Sequence, residues 1–444
     1  MFSKLLIANR GEIAVRVIRA CKEMGISTVA IYSTADESAL HVSLADQKVC
    51  IGGPYSRDSY LKAEQIIAAA LATGAQAIHP GYGFLSENPE FSNLCAETDI
   101  VFIGPKGDVI AKMGDKDMAR KTMQAAGVPV IPGCELVESL AHAKEEAVKI
   151  GFPLLIKARA GGGGRGIRLV KNADELEQQY QLATQEALSA FNDGSVYMEK
   201  FLSGVKHIET QLLADNFGNV VCLGERDCSI QRRNQKLVEE SPSPVVSDAL
   251  RARLIDTSIQ AAKAVDYRGA GTLECLYDPK SGEYYFMEMN TRLQVEHPVT
   301  EFVTGIDLVK WQIRIAANVP LAFTQEDIKI NGYAIECRIN AEDAEFKPSC
   351  GTISMLHVPG GPLVRFDSAI YNGYAIPPFY DSMIGKLIVM SRSSRNGAIR
   401  KMKAALAELV IEGVASNGDL QMEIMDYKDF VNGDYATDSI PWKK

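Results

Sequence analysis

Two glutamates flank a short turn in this chain. Glu274 stands in the apolar stretch 271–277, Glu288 stands in 285–290, and Pro279-Lys280-Ser281-Gly282 separates them. A three-residue closure over 280–282, with glycine last, pairs Pro279 with Glu283 and sets Glu274 opposite Glu288. Like charges directly opposite are destabilising, and burial between apolar neighbours adds to the penalty. A positive group must offset them. With Asn290 two residues on, the all-oxygen set favours Mg²⁺ or Mn²⁺ over zinc. A salt bridge to lysine or arginine is the structural alternative.

The polar row continues at period two through Glu288, Asn290, Arg292, Gln294 and Glu296, so an extended backbone would bring all five to one face. An exposed polar edge explains such a row, and so does a reaction surface for an anion beside a metal. A glycine run at 161–166, broken only by Arg165, lies between apolar stretches 154–158 and 167–170. It suits a hairpin tip whose backbone N–H groups approach an anion unobstructed. It lacks the Gly-Lys-Ser/Thr of a P-loop, and Lys157 just before it suits phosphate. The stretch 226–236 carries four cations and one acid, fitting a phosphate or bicarbonate pocket or a solvated charge run. The segment 79–88 is an unusual strand exit without a role legible from its residues.

Elements must hold these groups in place. Short apolar runs at 4–8, 28–32, 49–51, 77–79 and 100–103 alternate with helical patterns at 11–24, 60–73 and 89–98, which implies a parallel sheet covered by helices. The first turn has one glycine, Gly11, so it is not a dinucleotide fingerprint. A helix is expected at 115–126 and a linker at 128–133. Strands follow at 154–158, 167–170, 196–200, 207–214 and 220–225, with helices at 173–190 and 249–265. A last region has strands at 333–340, 352–357 and 363–366 and a helix at 398–409.

The chain has 444 residues, enough for roughly three domains. Net charge is −9, which argues against general nucleic-acid binding but not against a local anion site. Nine cysteines, an odd number without a Cys-x-x-Cys pair, suggest reduced thiols in a cytoplasmic protein. The first ten residues hold too short an apolar run for a secretion signal, and no stretch has the roughly 18 apolar residues of a membrane span.

Together the stretches 7–12, 79–88, 114–116, Lys157 with its glycine loop, 198–200, 225–236, 288–299 and 336–343 closely resemble the biotin carboxylases of the ATP-grasp superfamily. The run 288–300 is highly specific. The resemblance implies an α/β and α+β multidomain fold. Residues 1–113 would form a Rossmann-like N-terminal domain, 114–330 an ATP-grasp domain with a mobile lid at about 131–202, and 331–444 a C-terminal domain. It implies ATP contacts from Lys116, Lys157, Gly163, Gly164, Glu199, Lys200, Leu202, His207 and Gln231. Glu274, Glu288 and Asn290 would hold Mg²⁺ or Mn²⁺. Lys236, Arg292, Gln294 and Val295 would bind bicarbonate, Arg338 the biotin ureido group, and Glu296 would be the general base. The implied activity is ATP-dependent carboxylation of carrier-linked biotin, as in acetyl-CoA carboxylase. The alternative is a carboxylase subunit acting for pyruvate, another acyl-CoA or urea. No Met-Lys-Met attachment motif occurs, so a separate biotin carboxyl carrier protein and carboxyltransferase subunits are expected, with a homodimer typical of the family. Neither nucleic acid nor membrane is an expected partner. Asn234 departs from the family, which usually has histidine there.

Overall fold

Short apolar strands, each leading into a helix, build the first layer. Lys4–Ile7 pairs in parallel with Ser27–Ser33 and with Ala77–His79. Gln47–Gly52 and Val101–Phe102 extend the sheet at its two edges. Both faces are covered, as an all-parallel sheet requires. Leu6, Val29, Ile31 and Ile78 pack with Tyr60, Ile66 and Phe91 on one side. Leu5 and Ile7 pack with Ile13, Val17 and Ile18 of the helix Gly11–Glu23 on the other. The helix ends before Gly25, whose φ of +72° is costly for any residue with a Cβ.

The computed structural model describes residues 1–159, 166–191, 193–438 and 441. Two compact units divide them: residues 1–128, 206–275 and 288–444 form one, and residues 129–205 and 276–287 the other. The larger unit holds the parallel sheet and most of an eight-stranded sheet. The strand order of the latter is Glu283–Asn290, Gly269–Asp278, Lys206–Ala214, Val220–Arg232, Gln235–Ser241, Tyr333–Asn340, Met383–Ser391, Val364–Ser368. Gln235–Ser241 pairs directly with Tyr333–Asn340, Glu239 opposite Glu336, so one sheet runs across residue 330 without interruption. Odd-numbered Ile335, Cys337 and Ile339 enter a large apolar core with Leu387, Val389 and Met402. Even-numbered Glu336 and Arg338 therefore take the opposite face.

The smaller unit has its own sheet, in the order Gly133–Val137, Val196–Lys200, Leu154–Ala158, Ile167–Val170. Helices Leu140–Ile150 and Ala173–Phe191 accompany it, and Ala143, Ala147, Leu154, Ile156, Val170, Ala183 and Met198 share one core. The expected linker at 128–133 falls where the chain passes from the larger unit into the smaller, after Val128, though its later residues already join the smaller unit's structure. Gly133 opens a strand and Val130 bridges Phe286. Apolar residues spaced by prolines read as a linker because the partner strand is remote in sequence.

Two further expectations change. The strand expected at 220–225 runs on to Arg232, because its charged second half pairs with Gln235–Ser241. The turn after Gly269–Asp278 takes four residues, 279–282, rather than three. Asp278 closes it by accepting from Lys280 N at 2.9 Å, Ser281 Oγ at 2.8 Å and, through its carbonyl, Gly282 N at 2.9 Å. The nine cysteines are all free. Among the described residues no helix is long and apolar enough to cross a membrane.

Candidate active site

Alternation along Lys206–Ala214 puts His207, Glu209 and Gln211 on one side of the strand. Neighbouring strands supply cations. Arg226, directly opposite Glu209, donates through Nε at 2.5 Å, and Lys236 Nζ reaches the other Glu209 oxygen at 2.6 Å. Lys236 also contacts Glu274 at 3.3 Å and pairs with Glu296. Arg226, fully buried, donates further to Gln211 at 2.8 Å, Thr300 at 2.9 Å and Thr272 at 3.2 Å. Buried charges persist only when paired and hydrogen-bonded, and here each acid meets a cation from another strand.

Glu296 caps the helix His297–Thr304 and is fully buried. Its second oxygen accepts from Arg338 Nη2 at 3.0 Å. Burial alone would raise its pKa. Lys236, Arg338 and Arg226 overcome that and hold the carboxyl well below its usual range. Arg338 is held in turn by Glu239, through Nε at 2.6 Å. The result is one carboxylate clasped between an ammonium and a guanidinium.

Glu274 and Glu288 differ more than their symmetry in sequence suggests. Burial pushes the Glu274 carboxyl up, but Lys236 and His207 bring it below its usual range. Its oxygens accept from Asn290 Nδ2 at 2.9 Å and Gln294 Nε2 at 2.7 Å, and His207 Nε2 stands 2.8 Å away. Gln231 Nε2 meets the other ring nitrogen of His207 at 2.8 Å and also donates to Cys228 O. Glu288 is half-buried, and its pKa is raised by burial and then by Glu274, with Lys116 the main cation opposing. It thus remains short of positive charge, the condition a divalent cation would relieve. An all-oxygen donor pair fits Mg²⁺ or Mn²⁺. Asn290 fits less directly, since its amide oxygen accepts from Arg292 Nη2 at 3.1 Å.

The five-residue row is not a continuous strand. Glu283–Asn290 ends at Asn290, and 291–296 is a turn leading into the helix. The groups converge all the same. Arg292 donates to Gln294 Oε1 at 2.7 Å and to Glu87 at 2.7 Å, while Glu87 also accepts from Thr291 N at 3.1 Å. The Val295 carbonyl accepts from the buried Lys386 at 2.8 Å.

Three family models cover the chain. "Biotin carboxylase, N-terminal domain" matches residues 1–110, "Carbamoyl-phosphate synthase L chain, ATP binding domain" residues 115–324, and "Biotin carboxylase C-terminal domain" residues 336–441. Biotin carboxylase 1 of Bacillus subtilis is 54% identical over 440 residues, 98% of each chain. The chain belongs to the biotin carboxylase family. Biotin carboxylase of Campylobacter jejuni, solved as a β,γ-ATP complex, superposes with a TM-score of 0.92 at 50% identity over 98% of each chain. The biotin carboxylase domain dimer of Hydrogenobacter thermophilus 2-oxoglutarate carboxylase was solved with MgADP, ADP and bicarbonate. Its TM-score is 0.90 at 52% identity, covering 98% of this chain and 96% of that one.

Against that family the site residues fall into two groups. His207, Gln231, Lys236, Glu274, Arg292, Gln294, Glu296 and Arg338 meet in the larger unit, with Lys116 exposed at the start of the helix Lys116–Ala125. Lys157, Glu199, Lys200 and Leu202 belong to the smaller unit. There Lys157 pairs with Glu199, and Lys200 Nζ donates to Phe152 O at 3.0 Å. Gly163 and Gly164 lie outside the described residues. Asn234 sits in the two-residue turn between Arg232 and Gln235 with φ of +64°, a conformation asparagine tolerates well.

Sequence reasoning passed over Glu209, Glu239 and Lys386, and gave Arg226 and Glu87 no individual role within the stretches 226–236 and 79–88. A signal existed for two of them. Glu209 belongs to the alternating set His207, Glu209, Gln211 in the strand Lys206–Ala214, and Lys386 is a single charge within Met383–Ser391, buried at eight of nine positions.

Proposed function

We propose that this chain carboxylates biotin held on a separate carrier protein, using bicarbonate and ATP. The observation that carries the reading is the fully buried Glu296 clasped between Lys236 and Arg338. Bicarbonate is a weak nucleophile and needs its proton removed by a positioned base. Glu296 is a poor base while both cations hold it. A bound bicarbonate anion competes for Lys236 and for Arg292, Gln294 and Val295, which frees Glu296 to accept the proton. The deprotonated oxygen attacks the γ-phosphorus of ATP and ADP leaves, giving carboxyphosphate. Lys116, Lys157, Gly163 and Gly164 are assigned to the phosphates. Glu199, Lys200 and Leu202 are assigned to adenine, with His207 and Gln231 nearby. Glu274 and Glu288, with Asn290 once it releases Arg292, would hold Mg²⁺ or Mn²⁺, which supplies positive charge to the phosphates when bound. Carboxyphosphate then breaks down to CO₂ and phosphate, the phosphate takes the biotin N1′ proton, and the nitrogen attacks CO₂ while Arg338 stabilises the ureido oxyanion. Exclusion of water protects the labile intermediate.

A biotin carboxyl carrier protein and carboxyltransferase subunits are the assigned partners, in a cytoplasmic assembly with a homodimeric carboxylase. Residues 1–113, 114–330 and 331–444 are its assigned domains. Acetyl-CoA is the assigned final acceptor. The 2-oxoglutarate carboxylase relative, at 52% identity, favours a second reading in which the same half-reaction serves an oxo acid. ADP release is measured with MgATP, bicarbonate and free biotin. Biotin-dependent release should fall at least about a hundredfold in Glu296→Ala with nucleotide binding retained. Equal release without biotin, stimulated instead by urea or an amine, would sink the reading.

A further inference from the structure

Behind Arg338 lies a second pair of acids. Glu239 and Glu336 are directly opposite each other on adjacent antiparallel strands, and neither is exposed at all. Directly opposite side chains on such strands have Cβ atoms about 5 Å apart. Arg338, two residues beyond Glu336, spends two contacts on a single Glu239 oxygen, at 2.6 Å from Nε and 2.5 Å from Nη2. The other Glu239 oxygen and both oxygens of Glu336 are buried without a hydrogen-bond partner. Lys386, directly opposite Arg338, turns instead to Glu12 at 3.1 Å and to the Val295 carbonyl.

Three orphaned oxygens on two facing carboxyls are costly if both groups are charged. We propose that Glu239 and Glu336 share one proton, carried by Glu336, so that the pair presents a single negative charge at Glu239 to Arg338. The proton turns Glu336 from two unsatisfied acceptors into a donor, and the unpartnered oxygen of Glu239, on the residue directly opposite, is an acceptor for it. The charge surroundings agree. Burial raises both carboxyls, Arg338 opposes this chiefly at Glu239, and Glu239 pushes Glu336 further up. Lys386 on Met383–Ser391 is the main cation acting on Glu336, with Arg338 weaker. Glu296 adds negative charge from the cap of the adjoining helix. On that helix His297 is held uncharged by burial and by nearby cations, while Glu301 is engaged by Arg16 and Arg365. Arg226 and Lys236 are committed to Glu209.

The consequence is positional. Two full charges behind Arg338 would draw its guanidinium away from Glu296 and from the substrate oxyanion. One charge holds it without capturing it. Glu239 and Glu336 are positioning residues, and this inference rests on the proposed role of Arg338. Infrared difference spectra at neutral pH should show a protonated-carboxyl carbonyl band in the native chain that is lost in Glu336→Gln. That readout needs no turnover, so it stands whether or not the chain carboxylates biotin. Kinetics supply the second arm. Glu239→Gln should lower kcat for biotin-dependent ADP release by about tenfold or more with KM for ATP nearly unchanged. Glu336→Gln, the neutral isostere of the protonated acid, should lower it by about threefold or less. An unchanged carbonyl band in Glu336→Gln, or equal losses in the two variants, would overturn the proposal. If Glu239→Gln fails to fold, the spectrum of Glu336→Gln decides alone.

Discussion

The parallel sheet of the first hundred residues and the eight-stranded sheet bury their side chains by opposite means. The strands of the parallel sheet bury no charged side chain of their own, and Asp36, fully buried beside them, is paired with Arg10 at 2.7 Å. These strands carry Leu, Ile, Val and Ala on both faces, and the two histidines buried there, His41 and His79, are held neutral by burial, with pKa values lowered to about 4. The eight-stranded sheet has one such apolar face, and opposite it a face on which Glu209, Arg226, Lys236, Glu239, Glu336 and Arg338 are buried or nearly so. The difference follows from connectivity. Parallel strands are covered on both faces by their own crossover helices, which bring apolar stripes. The eight-stranded sheet joins consecutive antiparallel strands, such as those within 206–241, to others from 269–290 and 333–391, and each can deliver a counter-charge at a set register. Burial discharges a group that meets no partner and keeps charged a group that does.

The contrast can be broken in both directions. The largest effect is expected from Arg226→Met, which leaves Glu209 with Lys236 as its cation and should cost about 3–5 kcal/mol in urea unfolding. A loss below about 1 kcal/mol would mean that the buried charges are not mutually dependent. Leu6→Ala, in the parallel sheet, removes packing without touching charge. It should cost about 2–5 kcal/mol and leave kcat per folded molecule unchanged. A fall in kcat would show that the two sheets are not independent in this sense.

Acid sensitivity gives a smaller, directional test. His41 and His79 titrate near 4 in the folded chain against an ordinary 6.5, so the unfolded chain takes up protons first as pH falls. Their contribution is fully present above pH 6.5 and is lost progressively toward pH 4. Thermal melts should show this decline, and the double variant His41→Gln, His79→Asn should flatten it. A decline of equal steepness in the variant would assign it to the carboxylates of the other sheet. The smallest effect belongs to Lys144, whose exposed pair with Glu177 at 3.0 Å should contribute at most about 0.5 kcal/mol. Lys144→Ala would sharpen the contrast between exposed and buried pairs by moving the melt hardly at all.

Much of this protein was determined by its sequence alone. Local periodicity suffices for the parallel sheet, because each strand and its covering helix are neighbours in the chain. The strands Ala77–His79, Leu154–Ala158, Ile167–Val170, Val196–Lys200 and Tyr333–Asn340 fall where alternation and apolar runs place them. Residue type and spacing also picked out Glu274, Glu288, Arg292 and Glu296, as facing acids and a polar row at period two, whereas Arg338 came only with the family resemblance. Tertiary structure alone decided the rest. That Glu296 is clasped by Lys236 and Arg338, that Glu87 steadies Arg292, and that Glu336 faces Glu239 all depend on tertiary contacts between segments 42 to 205 residues apart. Local propensity carries no information about which distant strand lies alongside, and the charge state of a buried carboxyl is set by whatever that strand brings.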